Sequence, residues 1–188
     1  MDKQILYCKN REEWRNWLFS HFEDEQEIYL VFPTKIANEI SVNYNDAVEE
    51  ALCVGWIDGI ANRLDDQHQI RRFTPRKNSK KYSQLNIERL IYLDQNNLIH
   101  PKLVDTVKKI ISVPFVYPKN IIKALQKDEQ VWTNFLTFSE SYKRIRIAHI
   151  MEAKEDKKEY KKRLFDFINK TKENKIISGY GGSEKYYG

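Results

Sequence analysis

The chain has 188 residues, of which 41% are hydrophobic, 31% charged and 13% aromatic, with a formal net charge of +5. That content suffices for one ordinary core or two small ones and excludes wholesale disorder; six glycines and five prolines exclude collagen-like and linker compositions. No apolar run approaches the ~18–20 residues of a membrane-spanning helix, and the first residues lack the apolar middle of a signal peptide, so a cytoplasmic protein is expected.

Residues 10–22 read as a helix. Asn10 is placed to cap it, Glu12 and Glu13 sit in its first turn, and Trp14, Trp17, Leu18 and Phe22 form one apolar stripe. Residues 28–32 are β-branched and aromatic with Pro33 behind them, which predicts a strand, and residues 36–42 are expected to form a short partner strand. A second helix is expected over 44–55, capped by Asn43 or Asn45, with Ala47, Val48, Ala51 and Leu52 as its inner face and Gly55 at its end. Two extended runs, 56–64 and 69–75, flank the polar turn Asp65-Asp66-Gln67-His68 and predict a β-hairpin closed by Pro75. Beyond residue 80 the pattern is helical. Ser83 caps a helix reaching about 95, Pro101 opens one over 101–111, and 112–118 is a break holding Pro114 and Pro118. Helices are expected over 118–127, 129–137, 139–153 and 156–171. The fold class is therefore α+β, a small antiparallel sheet with helices in the N-terminal part and a helical C-terminal part. The expected division is 1–111, 118–175 and a mobile tail, 176–188, which has little to bury.

Charge is unevenly spread. Residues 11–66 hold four Lys/Arg against thirteen Asp/Glu, a net of −9; residues 71–90 hold seven against one, a net of +6. Residues 143–175 hold twelve against six, also +6, but their mixed signs at i and i+4, as in Glu159 and Arg163, read as a solvated helix face. Cys8 and Cys53 form no CxxC or Cys/His cluster, so no zinc site of the usual spacing and no cofactor is expected, and free thiols in a reducing compartment are. Cys53, inside Ala51-Leu52-Cys53-Val54, reads as a buried core residue rather than a nucleophile. The Asp65-Asp66…His68 group is explained by turn chemistry without a metal.

The densest polar and aromatic segment is 55–89. If the hairpin brings Asp58 beside Arg72, the pair is preorganised and the spare guanidinium donors can take a second anion. Arg76, Ser83 and Asn86 add donors near a helix start, and Trp56 offers an indole. The candidate ligand-binding surface is thus Trp56, Asp58, Arg72, Arg76, Ser83 and Asn86, for an anionic small molecule or an acidic protein partner. Three readings stay open. The same residues are a structural ion pair and core; or Asp58 is a general base with Arg72 stabilising negative charge beside the Ser83 hydroxyl; or the interleaved basic and aromatic residues hold nucleic acid, without any RNP, helix-turn-helix or zinc-finger signature. Motifs for a Gly-rich phosphate loop, GxSxG or HExxH are absent.

The run Glu50-Ala51-Leu52-Cys53-Val54-Gly55-Trp56-Ile57-Asp58-Gly59, followed by Arg72-Phe73-Thr74-Pro75-Arg76 and by Ser83, Asn86 and Arg89, resembles the bacterial YdeI/OmpD-associated, or bacteriocin-protection, family. Further similarity runs through Pro118, Ala124-Leu125, Phe135, Ser139, Tyr142-Lys143-Arg144 and Ala153-Lys154, so the resemblance spans about residues 5–172. The chain departs from the family at Tyr82, where Trp is frequent, at Asn97-Leu98, where Gly-Met is frequent, and around Lys158–Tyr160, where a Thr-Arg pair is usual. The resemblance implies the same α+β then helical order and a loose link to bacteriocin or envelope-stress protection. It implies no settled reaction, cofactor or catalytic residue.

Overall fold

The computed structural model describes residues 4–76 and 82–187. Its N-terminal elements are β1 (Ile5–Leu6), α1 (Arg11–His21), β2 (Ile28–Pro33), α2 (Tyr44–Cys53), β3 (Trp56–Arg63) and β4 (His68–Pro75). Then come α3 (Gln84–Gln95), a 3-10 turn at Pro101–Leu103, α4 (Val104–Ile111), α5 (Lys119–Leu125), α6 (Glu129–Thr137), α7 (Glu140–Glu152), α8 (Lys157–Lys172) and a last 3-10 turn, Ser183–Tyr186. The fold is α+β. Two compact units divide the chain: residues 1–81 with 90–110, and residues 82–89 with 111–188.

In the first unit the sheet order is β1-β2-β4-β3. β4 lies antiparallel between β2 and β3, and β1 pairs parallel with β2 through Ile5↔Tyr29 and Leu6↔Leu30, so the sheet is mixed rather than wholly antiparallel. Residues 36–42 do not form the expected partner strand. Asn38 adopts a left-handed φ of 51°, and Ile36 and Ile40 are 77% and 80% exposed, so the segment has neither extended backbone nor a buried alternate face. It is a loop tied down from outside. Tyr7 Oη donates to the Ile40 carbonyl (2.6 Å), Val42 N to Cys8 O (3.0 Å) and Thr34 N to Gln67 O (2.7 Å).

The caps follow the sequence. Asn10 accepts from Glu13 N, Asn43 accepts from Asn45 N, and Gly55 takes φ 72° just past α2, a conformation that strains any residue with a Cβ. One sheet face carries Ile28, Leu30 and Phe73 against the helices, with the Trp14 ring 5.2 Å from Phe73 and its indole N–H donated to the Ala47 carbonyl (3.0 Å). The opposite face carries a smaller cluster, Tyr29, Val31 and Ile70. α2 buries two carboxylates with its apolar face. Glu50 is held by Arg11 and by Arg15 Nη1 (2.7 Å), and Glu49 by Arg11 Nη1 (2.7 Å).

The second unit packs Ile121, Leu125, Val131, Phe135, Tyr142, Ile145, Ile150 and Phe167 into one core. Glu88, 2% exposed, receives a two-pronged bond from Arg144 (2.6 and 2.8 Å). The tail, expected to have little to bury, buries Ser183, Tyr186 and Tyr187; Tyr187 stacks edge-on against Tyr142 (4.8 Å), and Ile177 N donates to Tyr142 Oη (3.0 Å). Two tyrosines supply enough apolar area to dock a segment that lacks any helical periodicity.

Candidate functional site

The hairpin forms, but its register parts the expected pair. Asp58 lies opposite Phe73, on the helix-facing side of the sheet. Arg72 projects to the other face, where it pairs with Glu27 (Nε–Oε2 2.6 Å) at a half-exposed surface position. Arg71, not Arg72, meets Asp58, because successive strand residues point to opposite faces and a bulge between Asp58 and Ala61 shifts β3 against β4. The general-base reading that joined Asp58 to Arg72 loses its partner by the same geometry.

The other candidate residues scatter. Trp56 is 1% exposed, its indole N–H is donated to the Phe22 carbonyl (3.2 Å) and its ring stands edge-on to Trp17, so it is core. Arg76 is half-buried, with its backbone N–H donated to the Gly55 carbonyl (3.0 Å). Ser83 and Asn86 belong to the second unit. Ser83 Oγ accepts from Asn86 N (3.3 Å) at the start of α3, and Asn86 Oδ1 accepts from Arg89 (2.8 Å). Lys77, Lys80 and Lys81 of the basic run lie outside the described residues.

What the hairpin does build is a cleft of about 570 Å³ in the first unit. Its floor is the helix-facing side of β2 and β4, with Phe32, Gln69 and Arg71; its wall is the loop Glu39–Asn43 leading into Tyr44. At one end the Arg71 guanidinium lies over the Tyr44 ring, 4.3 Å from its centroid. Arg71 Nη1 donates to Asp58 Oδ2 (2.9 Å) and to the Gly59 carbonyl (3.1 Å), and Tyr44 Oη donates to the same Asp58 oxygen (2.7 Å). The guanidinium plane is therefore fixed twice, by stacking and by a carboxylate that is 17% exposed. Arg71 Nε and Nη2, the edge that presents two parallel N–H bonds, make no hydrogen bond among the described residues.

At the other end His68 stands between Asp65 (Nδ1, 2.9 Å) and Glu39 (Nε2, 3.3 Å), which fastens the loop wall to the hairpin turn. The Asp65 hydrogen bond raises the His68 pKa above its ordinary value. Asp65 Oδ1 also accepts from Gln67 N (2.7 Å) and His68 N (2.8 Å), the turn role its position suggested, and these bonds lower its own pKa. No group of three or more His, Cys, Asp or Glu among the described residues is placed to hold a metal ion. Both cysteines are free and buried; burial pushes the Cys53 thiol up to about 12 and Cys8 up to about 11, the opposite of an activated nucleophile. Among the described residues no helix is long and apolar enough to cross a membrane.

Residues 6–106, more than half of the chain, match the family described as Domain of unknown function (DUF8412). The chain belongs to this family. The DUF8412 match takes in the whole cleft and the Glu50–Gly59 and Arg72–Arg76 runs. Residues 114–174, from α5 to the end of α8, match a second family, Bacteriocin-protection, YdeI or OmpD-Associated, the one that the sequence resembles. That family is therefore met on the helical residues, while the N-terminal run on which the resemblance was first noticed lies in DUF8412. No curated protein and no solved structure matches the chain. Tyr44, Arg71 and Glu39 line the cleft and are absent from the candidate surface read from the sequence. The available signal was the spacing of Ile70 and Phe73. Both are buried but three apart, so β4 is covered on both faces and the helix-facing arginine is the one two residues from Phe73.

Proposed function

We propose that the DUF8412 cleft is a non-catalytic receptor for a small molecule bearing a carboxylate or phosphate group. The observation that carries this reading is the open Nε/Nη2 edge of Arg71, held in a fixed plane at the end of a cleft of about 570 Å³. Such an edge matches the two oxygens of a carboxylate or phosphate, and preorganisation removes much of the entropic cost of ordering a long side chain. The volume lies in the range of small-molecule sites, and Phe32, Ile40, Val42 and Tyr44 give the rest of the ligand an apolar surface. In the protective role that the second family's name carries, capture of a small anionic compound would be the useful act. Two free buried thiols support a reducing, cytoplasmic setting.

A panel of small carboxylates and phosphates screened by thermal shift, followed by calorimetry on the hits, tests the reading. A specific ligand raises the melting temperature in a concentration-dependent way. Arg71→Gln should weaken its binding by roughly 10- to 100-fold, the loss of one or two charge-assisted hydrogen bonds, while Arg72→Gln leaves it within about twofold. Ligands that bind Arg71→Gln as well as the parent protein would defeat the proposal. Equal, salt-sensitive retention on DNA and on an unrelated polyanion, with no small-molecule hit, would leave only nonspecific charge.

A further inference from the structure

The second unit buries a cation that has no carboxylate within ion-pair distance among the described residues; Glu184 feels its charge only at longer range. Arg146, in the middle of α7, is 4% exposed. Its Nη2 donates to the Ile177 carbonyl, and its guanidinium lies 5.9 Å from each of the Tyr142, Tyr180 and Tyr187 rings. Among the described residues no carboxylate pairs with it, and its Nε is buried without an acceptor. Buried charges are normally paired, because losing their hydration is costly; one carbonyl, the Tyr142 hydroxyl, three rings and a more distant Glu184 offset only part of that. Arg144, two residues earlier on the same helix, shows the usual solution in its two-pronged bond to Glu88.

Arg146 also walls a small cavity of about 100 Å³, together with His149, Arg163, Phe167 and Ile177. Arg163 reaches it from α8. Its Nη1 donates to the His149 carbonyl (2.7 Å) and lies 3.2 Å from His149 Nδ1, while its Nε donates to Glu159 (2.8 Å). Asp166, an exposed residue, also contributes to the lining. At roughly 30 Å³ per water, the cavity has room for about three waters. That suits one tetrahedral oxyanion.

We propose that this cavity is a phosphate site, distinct from the Arg71 cleft, in which a phosphate group supplies the counter-charge that Arg146 lacks and Arg163 closes the second side. Two arginines converging on one small space match the geometry of a dianionic group with several acceptor oxygens. The occupant is either free phosphate or the phosphoryl end of a larger molecule projecting past Asp166.

The test is a titration of the full chain with inorganic phosphate, at constant pH and with sodium chloride holding ionic strength fixed, read by thermal shift and calorimetry. The expected result is a saturable rise in melting temperature. It should shrink at least tenfold in apparent affinity in Arg163→Gln and stay unchanged in Arg72→Gln, a surface arginine outside both sites. Arg163 carries the test because its side chain is partly exposed and its loss leaves the core intact, whereas Arg146→Lys keeps the buried charge, removes the fork and should weaken phosphate binding in the same direction. A parallel titration with phosphoethanolamine separates the sources, since equal binding identifies the phosphoryl group and binding of phosphate alone identifies the free ion. No saturable effect, or one that is undiminished in Arg163→Gln, overturns the proposal. Loss in Arg71→Gln instead would assign the phosphate to the cleft.

Discussion

Arg72 holds Glu27 at the surface, and both side chains are at least two-fifths exposed. Exposed pairs of this kind contribute little, so Arg72→Ala should cost under ~1 kcal/mol in urea unfolding. A larger loss would mean that the opposite sheet face depends on it. Arg71 differs by one position and by its whole environment, since it faces Asp58 and Tyr44 inside the cleft. The two are indistinguishable in composition and nearly so in pattern. Ile70 and Phe73, both buried and three apart, break the simple alternation, so only the two-residue step from Phe73 marks Arg71 as the helix-facing one. The buried role of Cys53 was legible, because the residue sits in an unbroken apolar run. With its pKa pushed up to about 12 and Cys8 pushed up to about 11, neither thiol is ionised near neutrality. Thiol reagents at pH 7–8 should modify neither cysteine until the protein unfolds, as counted by mass spectrometry. Rapid labelling of Cys53 in the native protein would contradict its burial.

Among the elements, α2 is legible at its start, where Asn43 is one of the two caps the sequence offers, but not in its charge. The sequence marks Ala47, Val48, Ala51 and Leu52 as the inner face, yet Glu49 and Glu50 are buried as well. Only the approach of Arg11 and Arg15 from α1 makes this tolerable, and a contact 35 to 39 residues away in the chain leaves no local trace. Glu50→Ala removes the carboxylate shared by two guanidiniums that are each a quarter to a third exposed, leaving Arg11 with Glu49 and Asp46 and Arg15 with the Leu98 carbonyl. The expected loss is about 2 kcal/mol, below the ~3–5 of a wholly buried pair because water reaches both arginines. Chemical denaturation measures it, and no change would show that the cluster is not stabilising. The loop 34–43 defeated the strand expectation because Ile36 and Ile40 look like strand residues and are instead exposed. Its tether at His68 has a pH sign. Asp65 first, then Glu39, raise the pKa of His68 in the folded state above the ordinary 6.5. The contribution of this contact is therefore complete below about pH 6.5 and fades as pH rises through the raised value. In an NMR titration the His68 ring protons should report a midpoint above 6.5; a midpoint at or below 6.5 would contradict the Asp65–His68–Glu39 bridge.

At the scale of the whole molecule, the order of strands and helices was readable because apolar periodicity changes character after β4. The family matches cover 6–106 and 114–174, the second beginning inside the 112–118 break read from the sequence. The compact units share α3, whose first residues join the second unit and whose last residues join the first. Continuous helical spacing gives no sign of that division. It is also why Ser83 and Asn86, neighbours of the basic run in sequence, belong to a different unit from Arg71 and Asp58. Charge asymmetry pointed to an anionic ligand but gave no means of choosing between Arg71 and Arg72. Net charge by segment carries no information about which carboxylates and guanidiniums neutralise each other in three dimensions.

The Nε/Nη2 edge of Arg71, which makes no hydrogen bond among the described residues, is proposed to receive the ligand's anionic group. The Nε–Hε resonance of each arginine can be followed by ¹⁵N NMR during titration with the tightest carboxylate or phosphate found by the screen. The Arg71 signal should shift and sharpen with saturation as its proton gains an acceptor, while the Arg72 signal stays in place on Glu27. Movement of the Arg72 signal with an unmoved Arg71 signal would contradict the account.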